Sequence, residues 1–155
     1  MKIQLVTGEP GTGKTSKLHD LALQWAAQGL AFRAVLQPAV GPRTPGLGAP
    51  SYDLLMLELV PGGQLWSRRL EGLATRRPVR GYDFRSEAFE EARAFLTRQP
   101  LPACIILDEV GDTEVAGGGH GGALGDLLAL DPPGLTLVLG VKASVVEAVR
   151  IRLAR

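Results

Sequence analysis

Residues 3–15 read IQLVTGEPGTGKT, a short apolar run followed directly by a glycine-rich loop. The apolar residues 3–7 predict a strand that ends where the loop begins. Residues 15–28 then predict a helix, because their apolar side chains recur at helical spacing; these are Leu18, Leu21, Ala22, Trp25 and Ala26. The order strand, glycine loop, helix is the context in which such a loop binds phosphate.

The loop matches the pattern G-x-x-x-x-G-K-[ST] at every fixed position. Its small residues let the backbone N–H groups and the helix N-terminus face phosphate oxygens. Lys14 is placed to reach the β- and γ-phosphates, and the Thr15 hydroxyl to bind Mg²⁺. The predicted nucleotide-binding residues are therefore Gly8, Glu9, Pro10, Gly11, Thr12, Gly13, Lys14, Thr15 and Ser16.

A second signal is the apolar run at residues 103–107, which ends in Asp108-Glu109. An aspartate at the tip of a buried strand holds Mg²⁺ in sites of this kind, so Asp108 is the second predicted metal ligand beside Thr15. The neighbouring Glu109 is predicted to orient and deprotonate a water for attack on the γ-phosphate. Lys14 and Glu109 are thus the predicted catalytic residues, and hydrolysis is favoured over transfer to an alcohol.

The rest of the chain predicts a three-layer α/β fold. Strands are expected at residues 31–37 and 135–141, and a β-hairpin at 52–60 and 64–69 around Pro61-Gly62-Gly63. Helices are expected at residues 86–98, with Ser86 as the cap, at 123–130, and at 144–153 behind a capping box. Residues 38–50 and 111–122 are expected to be loops. The result is one domain over residues 1–155, with a mostly parallel sheet between helices and an inserted hairpin.

Composition excludes several classes of protein. The 155 residues include 20 glycines and 11 prolines, about a fifth of the chain, yet 45% are hydrophobic and the net charge is only +1. This near-neutral charge makes nucleic acid an unlikely partner. The chain has a single cysteine, which cannot form an internal disulfide. The apolar run at the N-terminus is too short for a signal peptide or a membrane span. These features predict a cytoplasmic protein without a membrane partner.

Three further sets of residues have two interpretations each. Residues 68–85 hold six arginines against two acids, so one arginine could act as a finger on the transition state, or the group could form a solvated, mobile loop face. Lys142, after a predicted strand, either senses the γ-phosphate or is solvated. Trp66 and Tyr52 either stack on a nucleobase or belong to the hairpin.

With these residues placed, the chain resembles the small P-loop nucleoside-triphosphatases, a family that includes the cancer-related nucleoside-triphosphatases and their bacterial and archaeal relatives. The resemblance rests on GEPGTGKT at 8–15, YDLLMLELVPGGQLWSRR at 52–69, RGYDF at 80–84, AFEEA at 88–92 and LDEVGDTEV at 107–115. The last run matches the family pattern Asp-Glu-hydrophobic-Gly-x-x-Glu through Asp108, Glu109, Gly111 and Glu114.

The resemblance implies a RecA-like core that hydrolyses ATP, GTP and other nucleoside triphosphates slowly with Mg²⁺ and little base preference. By this resemblance, Lys14 and Thr15 are expected to bind phosphate and metal, and Asp108 to bind the metal. Glu109 is expected to act on the attacking water.

Two other functions stay open at the level of sequence. In a nucleotide or small-molecule kinase, residues 68–85 would form a lid over donor and acceptor. In a nucleotide-gated binding module, residues 38–50 and the arginines would form a switch surface for a protein partner. Self-association is undetermined by the sequence.

Overall fold

The structure is a computed structural model that describes residues 1–8, 13–41, 51–76 and 82–154. The strands are β1 (Lys2–Gly8), β2 (Phe32–Leu36), β3 (Ala39–Val40), β4 (Ser51–Leu59), β5 (Leu65–Arg76), β6 (Tyr82–Phe84), β7 (Cys104–Val110) and β8 (Thr136–Lys142). The helices are α1 (Lys14–Ala27), α2 (Ser86–Thr97), α3 (Asp112–Val115), α4 (Gly121–Leu130) and α5 (Val146–Leu153), with a 3₁₀ turn at Ala143–Val145.

The strands form a single sheet in the order β1-β8-β7-β2-β4-β5-β6, with β3 beside β4. Strands β1, β8, β7 and β2 are parallel, which confirms the predicted parallel core. The remaining pairings are antiparallel. Because the parallel strands all end at one edge, that edge collects the start of the phosphate loop, the two acids of β7 and the end of β8.

Helices cover both faces of this sheet, as predicted. On one face α1 packs Leu18, Ala22 and Trp25 against a cluster that includes Phe32 and Ile106. On the other face α2, α4 and α5 pack against alternate residues of the same strands, among them Ile105, Leu107, Leu137 and Leu139. No helix in the described part of the chain is long and apolar enough to cross a membrane.

The predicted hairpin is present as β4 and β5, and it belongs to the main sheet. Leu59, at its turn, pairs with Phe32, the first residue of β2. The turn therefore lies at the edge opposite the phosphate loop. Trp66 pairs with Glu58 near this turn, and its ring lies 5.6 Å from the Phe95 ring. This position argues against Trp66 as a platform for a base bound at the other edge.

Several local predictions were wrong. The hairpin strand expected at 64–69 is present and holds Arg68 and Arg69, but as β5 it continues to Arg76, into residues that were not predicted as strand. Backbone pairing with β4 holds this strand although its side chains are mostly exposed, so Arg68 and Arg69 do not belong to a mobile loop face. The expected loop at 111–122 contains α3 and the start of α4. Ser86 is the first residue of α2, with Arg85 in the cap position. Ser144 lies in the 3₁₀ turn and does not cap α5.

Candidate active site

The structure places the described phosphate-loop residues at the junction of β1 and α1. Gly8 ends β1, and Gly13 precedes α1 with φ +83, in the left-handed region that glycine adopts without strain. Lys14 and Thr15 are the first two residues of the helix, and Ser16 beside them is exposed. The predicted residues Glu9, Pro10, Gly11 and Thr12 lie outside the described residues.

Thr15 joins the phosphate loop to the first of the two acids. Its Oγ1 donates a hydrogen bond of 2.6 Å to Oδ2 of Asp108. Oδ2 also accepts the backbone N–H of Gln37 at 3.2 Å, and Oδ1 accepts the N–H of Glu109 at 2.8 Å. Three donors therefore fix a carboxylate that has no exposed surface.

The surroundings of Asp108 disfavour an uncompensated negative charge. Burial, together with the charge of Glu109, raises the pKa of Asp108 to about 6, while the Thr15 and Gln37 hydrogen bonds and the Lys14 charge act in the opposite direction. A divalent cation at this carboxylate would favour its charged form. The hydroxyl of Thr15 and the carboxylate of Asp108 are the hard oxygen ligands that Mg²⁺ prefers, so the residues present fit that metal.

Lys14 contacts the second acid. Its Nζ lies 3.3 Å from Oε1 of Glu109, and its side chain is buried whereas that of Glu109 is partly exposed. An ammonium at the start of a helix, surrounded by protein, favours an anion beside it. The pair thus brings a candidate general base next to the candidate phosphate-binding cation.

A β-bulge makes both contacts possible. Neighbouring residues of a regular strand point to opposite faces of a sheet, so Asp108 and Glu109 would not normally reach the same helix end. The register of β7 on β8 shifts between Leu107 and Val110, and Glu109 has φ +58. The extra residue turns both carboxylates towards the start of α1, as bulges beside functional sites commonly do. The two acids accordingly lie inside β7, and not at its tip as predicted.

Gly140 on β8 makes room for Asp108. A Cβ at this position would lie 2.7 Å from Asp108 Oδ1 and 2.7 Å from Leu18 Cδ1. Sequence reasoning missed this residue, although an isolated glycine within an apolar strand is a signal of close approach. The glycine lets a carboxylate occupy the space between the strand and α1.

Glu114, from the motif at 107–115, supports the site without contacting Lys14 or Thr15. Its carboxylate accepts the backbone N–H of Gly111 and that of His120, both at 3.0 Å. Burial raises the pKa of Glu114. Gly119 has φ +52, and a side chain there would overlap the Glu114 carboxylate. The glycines at 117–122 therefore let the chain wrap around this acid.

His120 and Gln37 connect this wrapped segment to Asp108. His120 is almost fully buried; its Nε2 lies 2.9 Å from Nε2 of Gln37, whose backbone N–H binds Asp108. The His120 ring also meets the edge of Phe89, with 4.8 Å between centroids. Burial lowers the pKa of His120 to about 4, so the imidazole is neutral at physiological pH. Sequence reasoning missed Gln37, because only the tertiary fold brings the end of β2 to Asp108.

Two solved structures are similar to this architecture. The solution structure of a human cancer-related nucleoside triphosphatase aligns with TM-score 0.63 and 18% identity, over 98% of this chain and 85% of that one. The crystal structure of THEP1 from the hyperthermophile Aquifex aeolicus aligns with TM-score 0.53 and 19% identity, over 100% of this chain and 84% of that one. This chain therefore shares its fold with a human nucleoside triphosphatase and with THEP1.

This finding confirms, for the fold, the resemblance drawn from the motifs. At these identities the fold alone is shared, so the activity has to be argued from the site. No family model and no curated protein matches the sequence.

Proposed function

We propose that this chain is a Mg²⁺-dependent nucleoside-triphosphate phosphohydrolase that binds ATP or GTP and slowly converts it to the diphosphate and phosphate. One observation carries the proposal: the first two residues of α1 contact the two acids of β7 one to one. Thr15 bonds Asp108 at 2.6 Å, and Lys14 pairs with Glu109 at 3.3 Å. A metal-holding pair and a base–cation pair thus lie side by side at the start of one helix.

Residues 8–16 would bind the nucleotide through its phosphates. The N-terminus of α1 and the buried Lys14 ammonium supply positive charge to the β- and γ-phosphates. Thr15 and Asp108 would hold Mg²⁺, which when bound neutralises negative charge on the phosphate oxygens. Because these contacts concern phosphate and not the base, they are consistent with ATP and GTP as alternative substrates.

Glu109 would act as the general base. Its partly exposed carboxylate accepts a proton from a water, whose oxygen then bonds to the γ-phosphorus. The bond from that phosphorus to the bridging oxygen breaks, and its electron pair leaves with the nucleoside diphosphate. A positioned base of this kind accounts for about 10²–10⁴-fold of rate.

The position of the hairpin favours hydrolysis over the kinase alternative. A kinase lid at residues 68–85 would need arginines that can close over phosphates. Arg68 pairs with Glu91 at 3.0 Å, and Arg69 with Asp53 at 2.7 Å, both from within β5. Strand pairing and these ion pairs hold the start of the segment in the sheet.

A panel of nucleoside triphosphates with Mg²⁺, assayed for both phosphate release and phosphate transfer, tests the proposal. We expect release from several nucleotides, and its loss in Lys14→Ala. Lys17→Ala is the matched control, since Lys17 is an exposed lysine on the same helix. Transfer to a nucleoside or nucleotide in excess of release would replace this proposal by a kinase. Negligible turnover with nucleotide-dependent capture of a protein would replace it by a binding module.

A further inference from the structure

Among the described residues, the candidate active site has more negative than positive side chains. Asp108 and Glu109 face the start of α1, and Lys14 is the cation that the structure places against them. A nucleoside triphosphate adds several negative charges at the same place. Phosphoryl transfer in such sites depends on cations around the γ-phosphate, because charge is spread over its oxygens in the transition state. A further cation is therefore expected among the residues at this edge of the sheet.

Most arginines in the described part of the chain are already ion-paired away from this site. The pairs are Arg33 and Arg98 with Glu58, Arg68 with Glu91, Arg69 with Asp53, Arg85 with Glu87, Arg93 with Asp126, and Arg150 with Glu147. Arg152 lies on α5, which packs on the sheet face opposite α1. Lys2 opens β1 at the far edge, and Lys17 is exposed on α1. Arg76 ends β5, which lies three strands away from β7 in the sheet. Among the described lysines and arginines, Lys142 is the remaining one whose strand lies between β1 and β7.

Lys142 is the last residue of β8 and pairs in register with Gly8, where the phosphate loop begins. Alternation along β8 puts it on the same face as Gly140, two residues earlier, which faces Asp108 and Leu18. The side chain is half-buried, and no ion pair holds it within the described residues. A partly buried ammonium without a counterion favours an anionic ligand.

From this placement we propose that Lys142 is a second catalytic cation, which binds the γ-phosphate of the nucleoside triphosphate. The inference rests on the proposed function and adds a residue to it. Lys14 approaches from α1, and Lys142 from the end of β8 between β1 and β7. The bond changes are those of hydrolysis; Lys142 transfers no proton and stabilises charge on the γ-phosphate oxygens as the bridging bond breaks. Its contribution is therefore specific to triphosphates and larger in the transition state than in the bound substrate.

The test compares Lys142→Ala and Lys142→Arg with the wild-type chain, with Lys17→Ala as the exposed-lysine control. Phosphate release gives kcat and KM. Titration with a fluorescent nucleoside diphosphate and with a non-hydrolysable triphosphate gives the affinity for each. Thermal melting shows whether each variant is folded. For Lys142→Ala we expect kcat to fall on the order of 100-fold, the typical cost of one transition-state donor. Diphosphate affinity and the melting temperature should be unchanged. Lys142→Arg, which keeps the charge, should recover part of the rate.

Wild-type kcat in Lys142→Ala would overturn the inference. A wild-type chain that releases no phosphate would instead contradict the proposed function. The affinities still test Lys142 in that case, because the inference requires Lys142→Ala to lose preference for triphosphate over diphosphate. If Lys142→Ala kept the wild-type preference for triphosphate over diphosphate, the inference about Lys142 would be refuted independently of the proposed function.

Discussion

Lys14 and Glu109 form an ion pair across the bulge of β7, with 3.3 Å between Nζ and Oε1. The ammonium is buried, whereas about a third of the carboxylate side chain is accessible to solvent. Under the proposed function, phosphate oxygens bound by Lys14 would compete with Glu109 for the same cation. Substrate binding would thereby free the carboxylate to accept a hydrogen bond from water.

Glu109→Gln should separate binding from hydrolysis. We expect phosphate release to fall by about 10²–10⁴-fold, because an amide cannot accept the proton of the attacking water. Triphosphate affinity should stay equal or increase, since the neutral amide would no longer compete as an anion for Lys14. Single-turnover phosphate release and calorimetric titration measure the two effects. Glu147→Gln, at an exposed glutamate of α5, is the control; full activity in the Glu109 variant would contradict its role as base.

Thr15→Val should raise the Mg²⁺ concentration needed for half-maximal phosphate release by at least about tenfold. The variant keeps the size of the side chain but removes the oxygen that bonds Asp108 and would bind the metal. Thr15→Ser, which keeps the hydroxyl, should restore the wild-type Mg²⁺ dependence. Mg²⁺ titrations of activity at saturating nucleotide make the comparison. Equal dependence in the valine and serine variants would remove Thr15 from the metal site.

Gly140→Ala should destabilise the fold and displace Asp108. The added Cβ would lie 2.7 Å from both Asp108 Oδ1 and Leu18 Cδ1, in a buried strand. Overpacking of this kind costs about 1–3 kcal/mol. Urea unfolding measures the loss, and phosphate release should fall with it.

Gly125→Ala is the control for that substitution. It adds the same methyl group within α4, where the contact with Arg152 is 3.6 Å. The stability of this variant should be unchanged or higher by roughly 0.5–1 kcal/mol, because alanine favours a helix. Equal unfolding midpoints for the two variants would argue against a tight fit at Gly140.

His120 should contribute less to the stability of the fold in mild acid than at neutral pH. Burial lowers its pKa from 6.5 to about 4, so between these values the unfolded chain binds a proton that the folded chain does not. The contribution of His120 to the free energy of unfolding should therefore fall as the pH falls from about 6.5 to about 4, by up to roughly 3 kcal/mol. Above pH 6.5 this contribution is constant. Asp108, whose pKa burial raises to about 6, changes the stability in the opposite direction over an overlapping pH range.

His120→Gln isolates this effect from that of Glu114. Burial raises the Glu114 pKa, so this acid stabilises the fold below its unfolded pKa and loses that contribution as the pH rises through its folded pKa. Both chains contain Glu114 and Asp108, so the difference between their urea unfolding curves at several pH values reports His120. We expect the stability of the wild type relative to that of the variant to fall on acidification. Parallel pH dependences would show that the imidazole is not held neutral.

Local patterns in the sequence were sufficient to predict most of the elements. The strand before Gly8, the helix from Lys14, and the hairpin around Pro61-Gly62-Gly63 were predicted within a few residues of their observed positions. Each depends on apolar periodicity or on a turn residue, which acts between near neighbours in the chain. The strand β5 was predicted too short because charged, exposed side chains conceal a strand that pairs through its backbone.

By itself, then, the sequence determined a phosphate loop between a strand and a helix, two acids after an apolar run, and an α/β fold. Only the tertiary structure decided how those parts meet: the bulge that turns Asp108 and Glu109 to one helix end, the space that Gly140 leaves, and the contacts of Gln37. The physical reason is distance along the chain. Thr15 and Asp108 are 93 positions apart, and a 2.6 Å hydrogen bond between them exists only when the sheet sets the strand order and register.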